Sequence, residues 1–280
     1  MIPFEFEYFR PETAEDAVRL YHELAQSGLE PVYYGGGSEL LTMARAGNRR
    51  FGAVIDVKAI PECAAVEEEG DKVYFGSAAT LGAIERSGLF PLLGRTGARI
   101  ADHTMQLRIT LGGNIAGTIR YREAVLPLIL ADASMEVYTP DGAQSVSIHQ
   151  VFSGRLDLPP GALLVGCRVA KEFARARHGH VKKTKSEKID YPVATVCALD
   201  ADGYLRFAVS GVHENPFRDL TLEEIFNDTR TVPRLRADKI VEMVRPGAVS
   251  DVLGSAEYRL FTFKRALMEI FAMEREGAMV

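Results

Sequence analysis

Apolar and polar positions along this chain switch between a helical period and an alternating one, and the switches mark out its elements. From Thr13 to Gly28, Ala14, Ala17, Val18, Tyr21, Leu24 and Ala25 recur at helical spacing as one apolar stripe; Thr13 caps this helix and Gly28 ends it. Pro31 to Tyr34 reads as a short strand, Glu39 to Ala46 as a short helix and Ala53 to Val57 as a second strand, a β-α-β unit over residues 1–57. Val66 to Ser77 reads as a hairpin turning at Gly70-Asp71. Thr80 caps a helix over Leu81 to Ser87, and another helix is expected over Pro91 to Asp102. Arg122 to Ala131 reads as helical, with Pro127 marking a kink or a new first turn. Ser134 to Thr139 and Ala143 to Ile148 pair across Pro140-Asp141-Gly142, and Leu163 to Val169 is a strand. Residues 170–188 are basic and poor in apolar side chains, and read as an exposed loop between domains. Val193 to Leu199 and Tyr204 to Ser210 form a hairpin across Asp200-Ala201-Asp202-Gly203. Thr221-Leu222-Glu223-Glu224 reads as a capping box. Helices over Pro233 to Val244 and Ser255 to Glu274 complete an α+β C-terminal third.

Two glycine stretches interrupt this pattern. Tyr34-Gly35-Gly36-Gly37-Ser38-Glu39-Leu40-Leu41 lies between a strand and a helix, where a phosphate meets a helix N-terminus. Thr110-Leu111-Gly112-Gly113-Asn114-Ile115-Ala116-Gly117 also precedes a helix; its adjacent glycines allow positive φ, and a run of free N–H groups there makes an anion-binding concavity. Together they suggest one ligand with a pyrophosphate, held from both sides. Neither stretch is G-x-G-x-x-G or G-x-x-x-x-G-K-[ST], which disfavours a Rossmann dinucleotide site and a P-loop.

Composition narrows the class. The chain has 280 residues, 47% hydrophobic and 25% charged, enough for a soluble protein of two domains. A net charge of −5 gives no pointer to nucleic acid. No apolar run reaches the ~18 residues of a membrane span. The acidic start, Met1-Ile2-Pro3-Phe4-Glu5-Phe6-Glu7, lacks the pattern of a signal peptide, so a cytoplasmic location is expected. Cys63, Cys167 and Cys197 form no C-x-x-C, so a metal or iron–sulfur centre built from this chain is not expected.

The ordered set of motifs resembles a known family. Gly36-Gly37-Ser38-Glu39-Leu40-Leu41 is similar to its Gly-Gly-Thr-Asp-Leu-Leu loop, Gln106-Leu107-Arg108 to its Gln-x-Arg, and Thr110 to Asn114 to its Thr-hydrophobic-Gly-Gly-Asn. Asp190-Tyr191-Pro192, Ser255-Ala256-Glu257-Tyr258-Arg259 and Lys264-Arg265-Ala266-Leu267 resemble later signatures. Over nearly its whole length the chain resembles the FAD-binding medium subunits of molybdenum hydroxylases, the xanthine dehydrogenase and carbon monoxide dehydrogenase group. It departs from them at Thr118 to Glu123. The family there has Ser-Pro and then an Asp that meets the flavin; Glu123 stands in for that Asp, or Arg120 and Arg122 pair with phosphate instead.

The resemblance implies an α+β fold. A two-subdomain α/β FAD-binding domain of the PCMH / vanillyl-alcohol oxidase type would occupy 1–169, with subdomains 1–57 and 58–169. A C-terminal domain of the carbon monoxide dehydrogenase flavoprotein type, a three-stranded antiparallel sheet with helices, would occupy 170–280. It implies that the N–H groups of Gly35, Gly36, Gly37, Ser38, Gly112, Gly113 and Asn114 hold the pyrophosphate, aided by the side chains of Ser38, Thr110 and Asn114. Tyr34, Glu39 and Leu40 complete the first loop, and Asp190 and Tyr191 approach the flavin ring or ribityl chain. The expected partners are a small subunit with two [2Fe–2S] clusters and a large molybdopterin subunit. Electrons would reach FAD from the clusters and leave to NAD or another acceptor. Two other classes stand beside this one: a self-contained flavin oxidoreductase, such as UDP-N-acetylenolpyruvoylglucosamine reductase or the vanillyl-alcohol oxidase group, and a scaffold subunit that has lost the flavin.

Other residues have plainer readings. His178-Gly179-His180 lacks a nearby third ligand and reads as a solvated loop rather than a metal site. The basic run around it suits an acidic partner surface, a nucleotide phosphate or simple solvation. Lys58 reads as a surface lysine, His103 as a helix-end cap, and Tyr33 and Tyr34 as packing residues.

Overall fold

In the computed structural model, which describes residues 1–280, the chain begins with a strand that its pattern hides: β1 (Glu7–Phe9). Helix α1 (Ala14–Gln26) starts where Thr13 Oγ1 accepts from Asp16 N at 3.1 Å. Strand β2 (Pro31–Tyr34), helix α2 (Ser38–Arg45) and strand β3 (Ala53–Asp56) follow. The three strands form a parallel sheet in the order β1-β3-β2, the geometry that a β-α-β crossover requires. Ala17, Val18, Ile55 and Ile60 pack as a small core on one side of it.

A short helix α3 (Pro61–Ala64) leads to the hairpin β4 (Val66–Glu69) and β5 (Lys72–Gly76), turning at Gly70, which has φ +57°. Helix α4 (Leu81–Ser87) is capped by Thr80. Helix α5 (Pro91–Gly97) ends five residues before the expected boundary at Asp102. Asp102 instead caps a new helix, α6 (His103–Gln106), so His103 opens a helix rather than closing one. Then come α7 (Leu111–Ala116), α8 (Val125–Leu130), the hairpin β6 (Ser134–Thr139) and β7 (Gly142–Ser147), α9 (Ile148–Val151) and β8 (Leu163–Ala170). These strands form an antiparallel sheet in the order β4-β5-β8-β6-β7. Phe75, Leu93, Leu126 and Met135 belong to the largest core, beneath it.

Residues 170–188 are mostly not the expected loop. They fold into the end of β8, α10 (Lys171–Ala174) and a seven-residue strand, β9 (His178–Thr184), while 185–188 remain exposed outside any helix or strand. Strands β10 (Pro192–Ala201), β11 (Tyr204–Ser210) and the two-residue edge β12 (Phe217–Arg218) complete an antiparallel sheet in the order β12-β11-β10-β9, three long strands and a short edge. Nine consecutive residues of β10, Pro192 to Asp200, are buried, because both faces of this sheet are covered. Helices α11 (Leu220–Phe226), α12 (Pro233–Val244) and α13 (Ala256–Arg275) pack on one face, and α5 and α8 approach the other. Thr221 does not cap α11. Asp219 does, accepting from Thr221 N at 2.8 Å and Leu222 N at 3.1 Å, while Glu223 is buried against Arg218 and Phe207 N. The fully buried Arg259 of α13 donates to the carbonyl of Val193 and to Asp251, pinning the start of β10.

His178 and His180 share one face of β9, turned inward rather than solvated. Burial, followed by the charges of Arg99, Lys182, Arg95 and His178, pushes the His180 imidazole down to about 3. Folded, the ring stays neutral down to that pH; unfolded, it takes up a proton below its ordinary value of 6.5. Its contribution to stability is therefore complete above pH 6.5 and drains as pH falls towards 3, by at most ~1.4 kcal/mol per pH unit. Urea unfolding of His180→Gln is expected to lose less stability than the parent between about pH 7 and pH 4. Parallel curves for the two chains would show that the ring is not held neutral.

Candidate functional site

The first glycine loop is built by β2 handing the chain to α2. Gly37 is the residue before the helix, with φ +67°. A Cβ there would run into the ring of Tyr34, so the site demands glycine on both counts. The six N–H groups from Gly35 to Leu40 find no acceptor within the chain. Consecutive unpaired N–H groups at a helix start are a ready cradle for a phosphate or pyrophosphate.

The second glycine motif does a different job from the expected one. Gly112 and Gly113 have no positive φ; they sit in the first turn of α7. Leu111 N donates to Ala79 O, Gly112 N to Ser77 O, Gly113 N to Thr110 Oγ1 and Asn114 N to Thr110 O, at 2.8 to 3.2 Å. The N–H groups of this motif are thus already satisfied. Its glycines serve close packing: a Cβ on Gly112 would stand 2.7 Å from Ser77 Cβ. The Asn114 side chain accepts from Ala124 N at 3.2 Å.

The two motifs nevertheless meet. A Cβ on Gly35 would lie 2.8 Å from Thr110 Oγ1, and one on Gly36 would overlap the carbonyl oxygen of Arg108. Backbone is thus laid on backbone, with Thr110 between the loops. The structure brings together Tyr34 to Leu40 with Arg108 and Thr110, and only the first stretch keeps open N–H groups.

The segment after Asn114 closes the margin. Glu39 accepts from Thr118 N at 2.7 Å, Thr118 Oγ1 at 2.6 Å and Ile119 N at 3.4 Å, so it ties α2 to this segment. Arg120 pairs with Glu214 and Asp251, and Arg122 donates to Gly117 O, Gly154 O and Asn215 Oδ1. Neither arginine is a free phosphate partner. Glu123 also departs from its expected role. It is buried, pairing with Lys182 at 2.7 Å and accepting from Thr195 Oγ1 at 2.6 Å. Lys182 and Thr195 face each other across β9 and β10, so Glu123 clasps the C-terminal sheet rather than facing the glycine loops. Beyond that clasp, Tyr191 stacks on Tyr121 with centroids 5.1 Å apart, and Asp190 accepts from Tyr191 N at 2.7 Å. Tyr191 is half exposed.

Lys58 lies at the surface, as expected, but it is not free. Its ammonium donates to Gly35 O at 2.9 Å and to both oxygens of Asp56 at 2.8 Å, and lies 4.1 Å from the Tyr34 ring centroid. The signal for it is the parallel register of Tyr34 with Asp56, which returns the residues after β3 to the loop after β2. Tyr33, by contrast, packs on Tyr21 and donates its hydroxyl to Gly161 O, as expected of a packing residue.

Comparison with known proteins gives the family and the fold. Residues 4–170 match the family described as the FAD binding domain in molybdopterin dehydrogenase. The chain is 27% identical over 276 residues to the carbon monoxide dehydrogenase medium chain of Hydrogenophaga pseudoflava, covering 92% of this chain and 93% of that one. It is 26% identical to the nicotine 6-hydroxylase medium subunit of Paenarthrobacter nicotinovorans, covering 90% and 91%. The solved carbon monoxide dehydrogenase from Hydrogenophaga pseudoflava has a chain of the same fold, with a TM-score of 0.85 at 23% identity and 96% of each chain covered.

Proposed function

The chain belongs to the family of FAD-binding domains of molybdopterin dehydrogenases, and from that premise we propose that it is the electron-transfer flavoprotein subunit of a molybdenum hydroxylase complex. The observation that carries the reading is the array of six unpaired N–H groups from Gly35 to Leu40, closed behind by Thr110 and Arg108. FAD held there would supply the redox chemistry that links [2Fe–2S] clusters of a small partner chain to NAD or another acceptor. A large molybdopterin chain carries the hydroxylation.

Binding and orientation fall to this chain. Gly35, Gly36, Gly37, Ser38, Glu39 and Leu40 hold the pyrophosphate through their N–H groups, and Ser38 adds its hydroxyl. Thr110, Gly112, Gly113 and Asn114 support that loop from behind. Tyr34 forms its floor, and Tyr191, with Asp190 fixing its backbone, would approach the flavin from the β9–β10 turn. Residues 1–169 act as the flavin-binding domain and 170–280 as the C-terminal domain that presents Tyr191. No helix is long and apolar enough to cross a membrane.

The test uses the intact complex, made by coexpressing this chain with its iron–sulfur and molybdopterin chains. Reducing the clusters anaerobically should bleach the oxidised-flavin absorbance, and adding the acceptor should restore it. Bleached clusters beside an unchanged flavin band would refute the electron-transfer role.

A further inference from the structure

The hydrogen bond from Lys58 to the glycine loop has a directional consequence. Chain order places Asp56 at the end of β3, beside Tyr34, and a short 3-10 turn over Val57–Ala59 brings Lys58 back under the loop. Asp56 is buried. Burial pushes its carboxyl up, but the Lys58 ammonium, the Tyr8 hydroxyl and the Lys58 amide outweigh this and hold it below the usual range. Tyr8 donates to Asp56 at 2.5 Å and Lys58 N at 3.0 Å, so the carboxylate is a fixed anchor. That anchor fixes the ammonium, and the ammonium fixes Gly35 O.

A trans peptide is planar, and its C=O and N–H point in opposite directions. The chain has no cis peptide bond. Drawing Gly35 O onto Lys58 therefore aims the N–H of Gly36 away from Lys58. Gly36 is packed against Arg108 O, so the peptide has little freedom to turn back. We propose that Lys58, anchored by Asp56, is the positioning residue that sets the direction of the pyrophosphate-binding N–H groups of the Gly35–Leu40 loop. The inference rests on the flavin-site reading above. It extends that reading from the loop to a side chain outside both glycine motifs, acting through a backbone carbonyl.

The experiment compares FAD affinity, by quenching of flavin fluorescence, with thermal melting of the flavin-free full chain. Lys58→Met is expected to weaken FAD binding roughly ten- to hundredfold, the range for losing a charge-assisted hydrogen bond. Lys58→Arg keeps a cationic donor within reach of Gly35 O and Asp56, and is expected to restore most of the affinity. Thr13→Ala removes the side-chain cap of α1, which touches neither Asp56 nor the glycine loop; it should lower the melting temperature without changing FAD affinity. Should Lys58→Met fail to fold, Lys58→Gln carries the test, with weakened binding expected there too.

Equal FAD affinity in the parent and in Lys58→Met, or in Lys58→Gln where that variant is used, would overturn the inference while leaving the flavin site intact. So would affinity that falls in step with melting temperature in Thr13→Ala and the Lys58 variants alike, since that marks a structural role only. Failure of the parent chain itself to bind FAD would instead remove the flavin-site reading on which the inference stands.

Discussion

Gly36→Ala is expected to lose FAD affinity by about a hundredfold or more, some 2.7 kcal/mol, and to melt below the parent. The added methyl would overlap Arg108 O and come within 3.4 Å of Thr110 Cγ2. The first obstacle is backbone, so no side chain can swing aside to admit the methyl. One of the two loops must move. Overpacking of this kind costs ~1–3 kcal/mol in stability, and here it also displaces the loop that carries the open N–H groups. Gly97→Ala is the control. The nearest atoms to its new methyl would be those of Leu81, at 3.5 Å or more, which is ordinary contact in a helix of the same domain. It should bind FAD as the parent does. Fluorescence titration and melting of the three chains test the point, and unchanged affinity in Gly36→Ala would show that the ligand does not depend on this contact.

The largest loss of stability is expected from Lys182→Met. It leaves the Glu123 carboxylate buried without a cation, a change that costs ~3–5 kcal/mol elsewhere. Lys182 also donates to Arg99 O at 2.7 Å, a bond lost with it. The double variant Glu123→Gln/Lys182→Met should regain much of the loss, because an amide still accepts from Thr195 and no buried charge remains. Urea unfolding of the single and double variants gives the coupling directly. Additive losses would mean that the two side chains do not share one buried site. Because Glu123 lies in the segment after Asn114 while Lys182 and Thr195 lie in the C-terminal sheet, this pair holds together the parts that carry the glycine loops and Tyr191.

Legibility in the sequence followed the source of each element's stability. Strand β10, the hairpins and the capped helices carry their reasons locally, in apolar runs, turn residues and N-caps, and these could be read. Strand β9 could not. Its Lys182 and Lys183 are satisfied by Glu123 and Glu269, residues distant along the chain, so a buried strand looks like a solvated basic loop. The three-residue β1 is defined by pairing with β3 rather than by any pattern of its own. At Thr221 a plausible capping box lost to Asp219, whose carboxylate accepts from two N–H groups where a hydroxyl would serve one.

The candidate site divides in the same way. That the two glycine stretches meet was readable from their residue types. Which N–H groups stay open was not, since Leu111 and Gly112 of the second stretch donate to Ala79 and Ser77 on a neighbouring segment, and Gly113 and Asn114 to Thr110. The role of Lys58 depends on the parallel register of β2 and β3, and that of Glu123 on the sheet beyond it.

A pyrophosphate cradle for FAD at Gly35 to Leu40 is tested most directly by the visible spectrum of the purified full chain, recorded before and after FAD is added and the excess removed. Two oxidised-flavin bands are expected at near one FAD per chain, and their loss in Gly36→Ala. A parent chain that stays colourless, or a Gly36→Ala chain that retains flavin as well as the parent, would contradict it.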